Sequence, residues 1–259
     1  MKIFTNALIL GLFVLISSTT AQDVNKPFTE WSERNAQKIA SQSGWAKTFT
    51  STESLAGADS DNIRREQGQS ANRGGGNPGS VGRSGGNPPV VIRLHSAPVI
   101  RQALVRLHQL AVKYDKMSAE EKAQFDESRR IFLDCAICKD YYVVTLTKYT
   151  DASGQSVDDG MFQALTLNDL KGHIKLVNDK GQERELFEFT PSKGGSDAAV
   201  LFFKRLDDNG NALVTPDTKE LRFVVSNDFK SRDKRYGPLV PRQFEFSVKK
   251  MMVGDQIQF

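Results

Sequence analysis

The chain has 259 residues, 39% of them hydrophobic and 25% charged, with 35 Lys+Arg against 31 Asp+Glu and a formal net charge of +4. This is the composition of an ordinary globular protein, and it excludes a collagen, a coiled coil and a wholly disordered chain. Two cysteines and three histidines exclude a disulfide-dense scaffold and a multi-zinc array, and a single apolar stretch excludes a polytopic membrane protein.

That stretch opens the chain. Met1 and Lys2 give a short positive start, residues 7–16 are apolar, and Ser17, Ser18, Thr19, Thr20 and Ala21 form a small-residue exit. The pattern is that of a secretory signal peptide over residues 1–21, too short to span a bilayer, which needs about 20 apolar residues. Cleavage after Ala21 predicts an exported protein, periplasmic or extracellular, with no transmembrane span in residues 22–259. An uncleaved N-terminal anchor is the alternative.

Residues 22–50 read as a Trp-bearing helical segment. Thr29 or Ser32 caps a helix ending near Gly44, with Trp31, Ile39 and Trp45 as apolar anchors. So short a helix is not stable alone, so Trp31 and Trp45 must dock, either on the main body or on a partner.

Composition changes over residues 51–89, most sharply in the Gly-, Ser-, Asn- and Arg-rich tract 67–89. The tract holds too little apolar surface to offset chain entropy and predicts a flexible linker. Gly74, Gly76 and Gly79 satisfy GxGxxG by letter, but neither a strand nor a helix flanks them and Pro78 interrupts, so no dinucleotide site is expected. Arg64, Arg65, Arg73 and Arg83 are balanced by Glu53, Asp59, Asp61 and Glu66, without stacking aromatics, which argues against nucleic acid as a partner.

The folded body is expected over residues 90–259. A strand at Val90 to Leu94 leads into a helix pair over 97–133. Ser96 is the expected cap of the first helix, Pro98 lies in its first turn, and Ile100, Leu104, Leu107, Leu110 and Tyr114 form its apolar stripe. Ser118 and Glu121 make a capping box for the second helix. From residue 140 to 259 the period changes to two. Hairpins are expected at 174–189, around Asp179-Lys180-Gly181, and at 198–225, around Asp207-Asp208-Asn209-Gly210, with a late strand at Phe244 to Val248. The fold class is therefore α+β: N-terminal helices followed by a largely antiparallel, sandwich-like or barrel-like β part.

Cys135-Ala136-Ile137-Cys138 is the most informative motif. Two thiols so spaced can close a disulfide, supply half of a metal site or act as a redox pair. Export favours the disulfide. A redox pair is normally placed where a strand enters a helix N-terminus; here the order is helix, cysteines, strand. His95, at a strand end, is the lesser candidate, and His108 reads as a partly buried surface residue. GxSxG, HExxH and P-loop motifs are absent, so no catalytic residue is assigned, no cofactor is predicted and the metal question stays open. Asp207, Asn209 and Asn211 alternate like calcium ligands, but Ala212 and Thr218 fill the places where an EF-hand needs Gly and Glu. Lys230, Arg232, Lys234, Arg235, Arg242, Lys249 and Lys250 make the C-terminal part basic, which suits an anionic surface polymer as well as a solvated edge.

Phe28-Thr29-Glu30-Trp31-Ser32, Ser43 to Thr48, Ala97 to Ala103, and the cysteine pair running into Asp140-Tyr141-Tyr142-Val143-Val144 resemble a family of uncharacterised exported bacterial proteins. The resemblance implies that the Trp segment and the cysteine pair belong to one architecture; it carries no activity. The expected function is a non-enzymatic binding or accessory module whose partner is an envelope protein or an anionic surface polymer. The alternative is a metal-binding or thiol-redox protein using Cys135 and Cys138.

Overall fold

A computed structural model describes residues 24–49, 90–148, 165–193, 198–226, 228–229 and 242–259. The proposed signal peptide, the linker and the basic residues Lys230, Arg232, Lys234 and Arg235 lie outside the described residues.

Helix α1 (Glu33–Ser41) leads into strand β1 (Ala46–Phe49); after the linker come β2 (Val90–Leu94), α2 (Pro98–Ala111), α3 (Ala119–Asp134) and β3 (Tyr141–Lys148). Short strands follow: β4 (Ile174–Asn178), β5 (Glu183–Glu185), β6 (Glu188–Thr190), β7 (Ala199–Lys204), β8 (Glu220–Val225), β9 (Gln243–Ser247), β10 (Met252–Val253) and β11 (Gln256–Ile257). They form a five-stranded sheet in the order β1-β2-β3-β7-β6, a four-stranded sheet β5-β4-β8-β9 and the ribbon β10-β11, every pair antiparallel. The fold is α+β with sandwich-like sheets rather than a closed barrel. Among the described residues no helix is long and apolar enough to cross a membrane.

The layers follow from burial. β4 and β8 alternate buried and half-buried positions, the pattern of a sheet with one covered face. β3 instead buries five consecutive residues, Tyr142 to Leu146, because both its faces are covered. Its Tyr142, Val144 and Leu146 share a face with Ile92, Leu94, Leu201 and Phe203, and Phe203 meets Phe223 of the other sheet edge-on, ring centroids 6.3 Å apart. On the opposite face of β2, Arg93 donates from Nε to the Ala40 carbonyl, which places α1 on that side.

The Trp segment is part of this core rather than an appendage on a tether. Trp31 and Trp45 are 2% and 1% exposed, and β1 pairs with β2 from Ala46↔Arg93 to Phe49↔Val90. Both indoles face inward in this chain and bond to its own backbone, Trp31 to the Lys26 carbonyl and Trp45 to that of Gln258, and the folded unit begins well before Val90. Trp31 precedes α1, whose N-cap is Ser32, its hydroxyl accepting from the Asn35 amide at 3.3 Å.

Three further expectations are corrected. The cap position of α2 is Ala97, not Ser96, whose buried hydroxyl has no hydrogen-bond partner among the described residues. Of the expected stripe on α2, Ile100 is buried but Leu104 and Leu107 are only partly so, while Val99, Arg101, Ala103, Val105, Arg106 and Gln109 are buried as well, because the helix packs on α1 and α3. The two expected hairpins are rearranged. β4 does turn at Gly181, φ +76°, but onto Glu183–Glu185, while Glu188–Thr190 crosses to the other sheet and pairs with β7. β7 and β8 likewise lie in different sheets. The loop between them closes locally, through a Leu206↔Ala212 bridge and Asp207 accepting at Oδ1 from the Asn209 and Asn211 amides.

The two ends of the described chain meet at Gly44. A Cβ there would lie 2.2 Å from the Lys250 carbonyl oxygen, backbone that has no side chain to move aside. Next to it Trp45 donates from Nε1 to the Gln258 carbonyl at 2.9 Å. Gly44→Ala should therefore cost about 2 kcal/mol, the range of an overpacked core site, and lower the thermal midpoint by roughly 4–8 °C. Differential scanning calorimetry checks this; an unchanged midpoint would mean that the two segments do not approach so closely.

Candidate functional site

Two regions gather chemically capable side chains. The first is an open cleft of about 680 Å³ between the end of α1 and the C-terminal segment. Its floor is Gly44 and Trp45, and Lys38, Lys47, Lys249 and Lys250 line it. Local bonding holds this floor rigid. The Ser43 hydroxyl donates to the Ile39 carbonyl at 2.8 Å and accepts from the Trp45 amide at 3.1 Å, and Thr48 donates to the Ser41 carbonyl at 2.9 Å. These bonds end α1 and turn the chain straight into β1, which aims Lys47 at the Lys249–Lys250 turn. Burial lowers the Lys47 ammonium from the ordinary lysine range, and the like charge of Lys250 lowers it further, against an opposing pull from Glu245. A lysine held beside other lysines at a cost to its charged state suits an anionic ligand.

The second region surrounds the cysteines. Their sulfurs lie at bonding distance, 2.00 Å, so as a pair they offer no thiolate to a metal, and among the described residues no group of three His, Cys, Asp or Glu could hold one. Cys135 ends α3 in the left-handed region, φ 43°, and Cys138 is 6% exposed. The Arg101 guanidinium of α2 donates to the Leu133, His95 and Ser96 carbonyls at 2.9, 2.9 and 2.7 Å, and its Nη1 lies 3.6 Å from the Cys138 sulfur. Arg205, just after β7, donates from Nε to the Cys138 carbonyl at 2.7 Å and lies over the Tyr142 ring. Burial brings Arg101 down to about 10, with Arg205 lowering and Asp134 raising it. Arg101 nevertheless stays charged at neutral pH.

His95 is packed edge-on against Phe132, ring centroids 5.0 Å apart, and its buried Nδ1 has no hydrogen-bond partner among the described residues. Burial, then Arg101 and Arg93, brings its imidazole down to about 4. It is held neutral at pH 7, lies within the influence of Arg101 and Arg93, and among the described residues is bonded to no nucleophile. His108 packs on Phe125 in the helix pair.

Sequence reasoning passed over a third group, His173, Ser226 and Asp228. Its composition suggests a hydrolytic triad, but Ser226 and Asp228 both meet the same ring nitrogen, Nδ1, at 2.9 and 3.3 Å, and Ser226 donates directly to Asp228. A triad needs the imidazole between the two, one nitrogen to each. The cleft was missed as well, since its lysines come from residues 38–47 and 249–250, brought together by Trp45 and Gly44; only Lys249 and Lys250 were visible as part of a basic stretch.

No protein-family model, curated protein or solved structure matches this chain.

Two predictions follow from these charges. Unfolded, His95 titrates near 6.5; folded, near 4, so the unfolded chain takes up the extra proton between those values and stability falls as pH drops through that window. The loss should reach about 2 kcal/mol, after allowing for the partial exposure of the ring. Denaturant unfolding from pH 6.5 to 5, above most carboxylate titration, should show a slope that His95→Gln removes. Lys47, whose folded value is lowered, opposes folding while charged, an effect relieved only as pH climbs toward the unfolded lysine value. Lys47→Met keeps the stem and drops the charge, so in the absence of ligand it should melt slightly above the parent at pH 7, with the gap closing by pH 10.

Proposed function

We propose that this chain is an exported, non-enzymatic binding module that takes an anionic ligand, a segment of a carboxylate- or phosphate-bearing envelope polymer, in the lysine-lined cleft. The observation that carries this reading is the convergence of Lys38, Lys47, Lys249 and Lys250 over a rigid floor of about 680 Å³. That volume is in the usual range for small-ligand clefts, roughly 300–1,000 Å³, and an open groove lets a longer polymer continue on both sides. Export is supported by the signal-like pattern of residues 1–21 and by the Cys135–Cys138 bond, which persists in oxidising compartments. The resemblance to exported bacterial proteins points the same way.

Isothermal titration with tripolyphosphate and with an oligogalacturonate tests the reading. At low ionic strength one of them should bind, and binding should weaken as salt is raised. Lys47→Met and Lys250→Gln should each lower affinity about fivefold, the roughly 1 kcal/mol of a partly exposed ion pair. Failure of both probes to bind, or equal binding by the double variant, would sink it.

A further inference from the structure

The cysteine pair makes a poor staple. It closes a ring across a sequence separation of 3, and ring closure constrains the unfolded chain less the shorter the ring. It also places a non-glycine residue, Cys135, at φ 43°, where glycine is the usual helix terminator. Cys135 is half-buried and flanked by the exposed Ile137 and Ile131, whereas Cys138 is buried, which makes Cys135 the more open residue of the pair.

The surroundings of Cys138 are the second observation. Arg101 is 4% exposed, and among the described residues each of its hydrogen bonds goes to a neutral atom: three carbonyl oxygens and the Cys138 sulfur. A buried cation so placed lacks a contacting counter-charge. Opening the disulfide would create one, since a thiolate on Cys138 would lie 3.6 Å from Arg101 Nη1. The other charged or titratable groups around it are Arg205, bonded to the Cys138 carbonyl, Asp134 at the end of α3, Asp140 beside Arg205, the flanking Lys139, and His95, whose carbonyl accepts from Arg101. Two guanidinium groups, one at the sulfur and one at its carbonyl, make the site electropositive.

We propose that Cys135–Cys138 is a thiol–disulfide exchange site, at which a dithiol reductant attacks Cys135 and Cys138 departs as a thiolate held by Arg101. In the first step the incoming thiolate forms a bond to Cys135 Sγ, the Cys135–Cys138 bond breaks, and its electron pair goes to Cys138 Sγ. In the second, the reductant's other thiol loses its proton and attacks its own sulfur in the mixed disulfide. Cys135 leaves as a thiolate and is protonated from solvent. The protein's disulfide is reduced to a dithiol, the partner dithiol is oxidised to a disulfide, and the reverse sequence reduces a disulfide substrate. A stabilised leaving thiolate accelerates the first step. This inference is independent of the lysine cleft, and either can fail alone.

Dithiothreitol is the probe. The wild-type disulfide should be reduced by it within minutes at pH 7 with the near-ultraviolet circular dichroism retained. Thiolate absorbance at 240 nm in Cys135→Ser should titrate at least one pH unit below the ordinary cysteine value of about 8.5. With oxidised glutathione, Cys138→Ser should form its mixed disulfide on Cys135 at least tenfold faster than Cys135→Ser does on Cys138. In the Cys135→Ser background Arg101→Gln should raise the titration midpoint; should that variant not fold, Arg205→Gln provides a milder rise in the same direction. A Cys138 midpoint at or above 8.5, equal adduct rates on the two cysteines, or collapse of the fold on reduction would each overturn the proposal in favour of a structural bond.

Discussion

The helical layer depends on guanidinium groups bonded to backbone carbonyls. A helix leaves its last carbonyls without intrahelical partners, and a buried end must find them elsewhere. Here Arg93 reaches Ala40 in the last turn of α1, Arg101 reaches Leu133 in the last turn of α3, and Arg106 reaches the Trp31 carbonyl just before α1 at 2.9 Å. Each arginine belongs to a different element from the carbonyl it satisfies, so the bonds cross-brace β2, α1, α2 and α3. The planar fork of arginine can meet several carbonyls at once, which a lysine ammonium on a flexible stem does less well. Burial exacts a cost, visible in Arg93 and Arg101, both brought down to about 10 mainly by desolvation, yet both remain cationic at neutral pH.

The near-neutral net charge hides two positive places of different kinds. The lysine cleft is wet and screened, so its charges act on mobile ligands and weaken with salt. The arginine cradle behind Cys138 is dry, so its field acts at short range on a group of the chain itself. The positive charge is thus divided between a lysine-lined surface cleft and a buried arginine pair at the sulfur.

Much of the architecture was legible in the sequence because it rests on local chemistry. The capping box of α3 forms as Ser118 and Glu121 specify, with the Ser118 amide donating to Glu121 at 2.7 Å, and β4, β8 and β9 fall where the apolar period is two. What stayed hidden rests on contacts between distant residues. Nothing in Arg101 or Arg106 marks them as buried, since a helix packed on two flanks places polar residues inside once carbonyls wait there. Nor does local pattern distinguish a hairpin from two strands that switch sheets. The buried Asn178 does so here, its carboxamide accepting from the Gln182 amide and donating to the Leu213 carbonyl, which pins the β4–β5 turn to the crossing chain. The cysteine pair was legible as chemistry but not as environment, because Arg101 and Arg205 come from elements 34 residues before and 70 after Cys135.

The position of the linker has a physical rationale. Strands β1 and β2 are antiparallel neighbours, and residues 50–89 join them where a two-residue turn would serve. In most hairpins the turn sets the register, and a long insertion would leave it free to slip. Here β1 is registered from its other end. Ser43 and Thr48 bond back to α1, Trp45 bonds to the Gln258 carbonyl just after β11, the Leu94 amide donates to the Trp45 carbonyl at 2.9 Å, and Gly44 permits the close pass beneath Lys250. With register held there, the joining segment contributes only closure entropy, which rises by about 0.6 kcal/mol for each doubling of loop length. Its length and composition can therefore vary without moving Lys47, whose place in the cleft is fixed by the same contacts that register the strand.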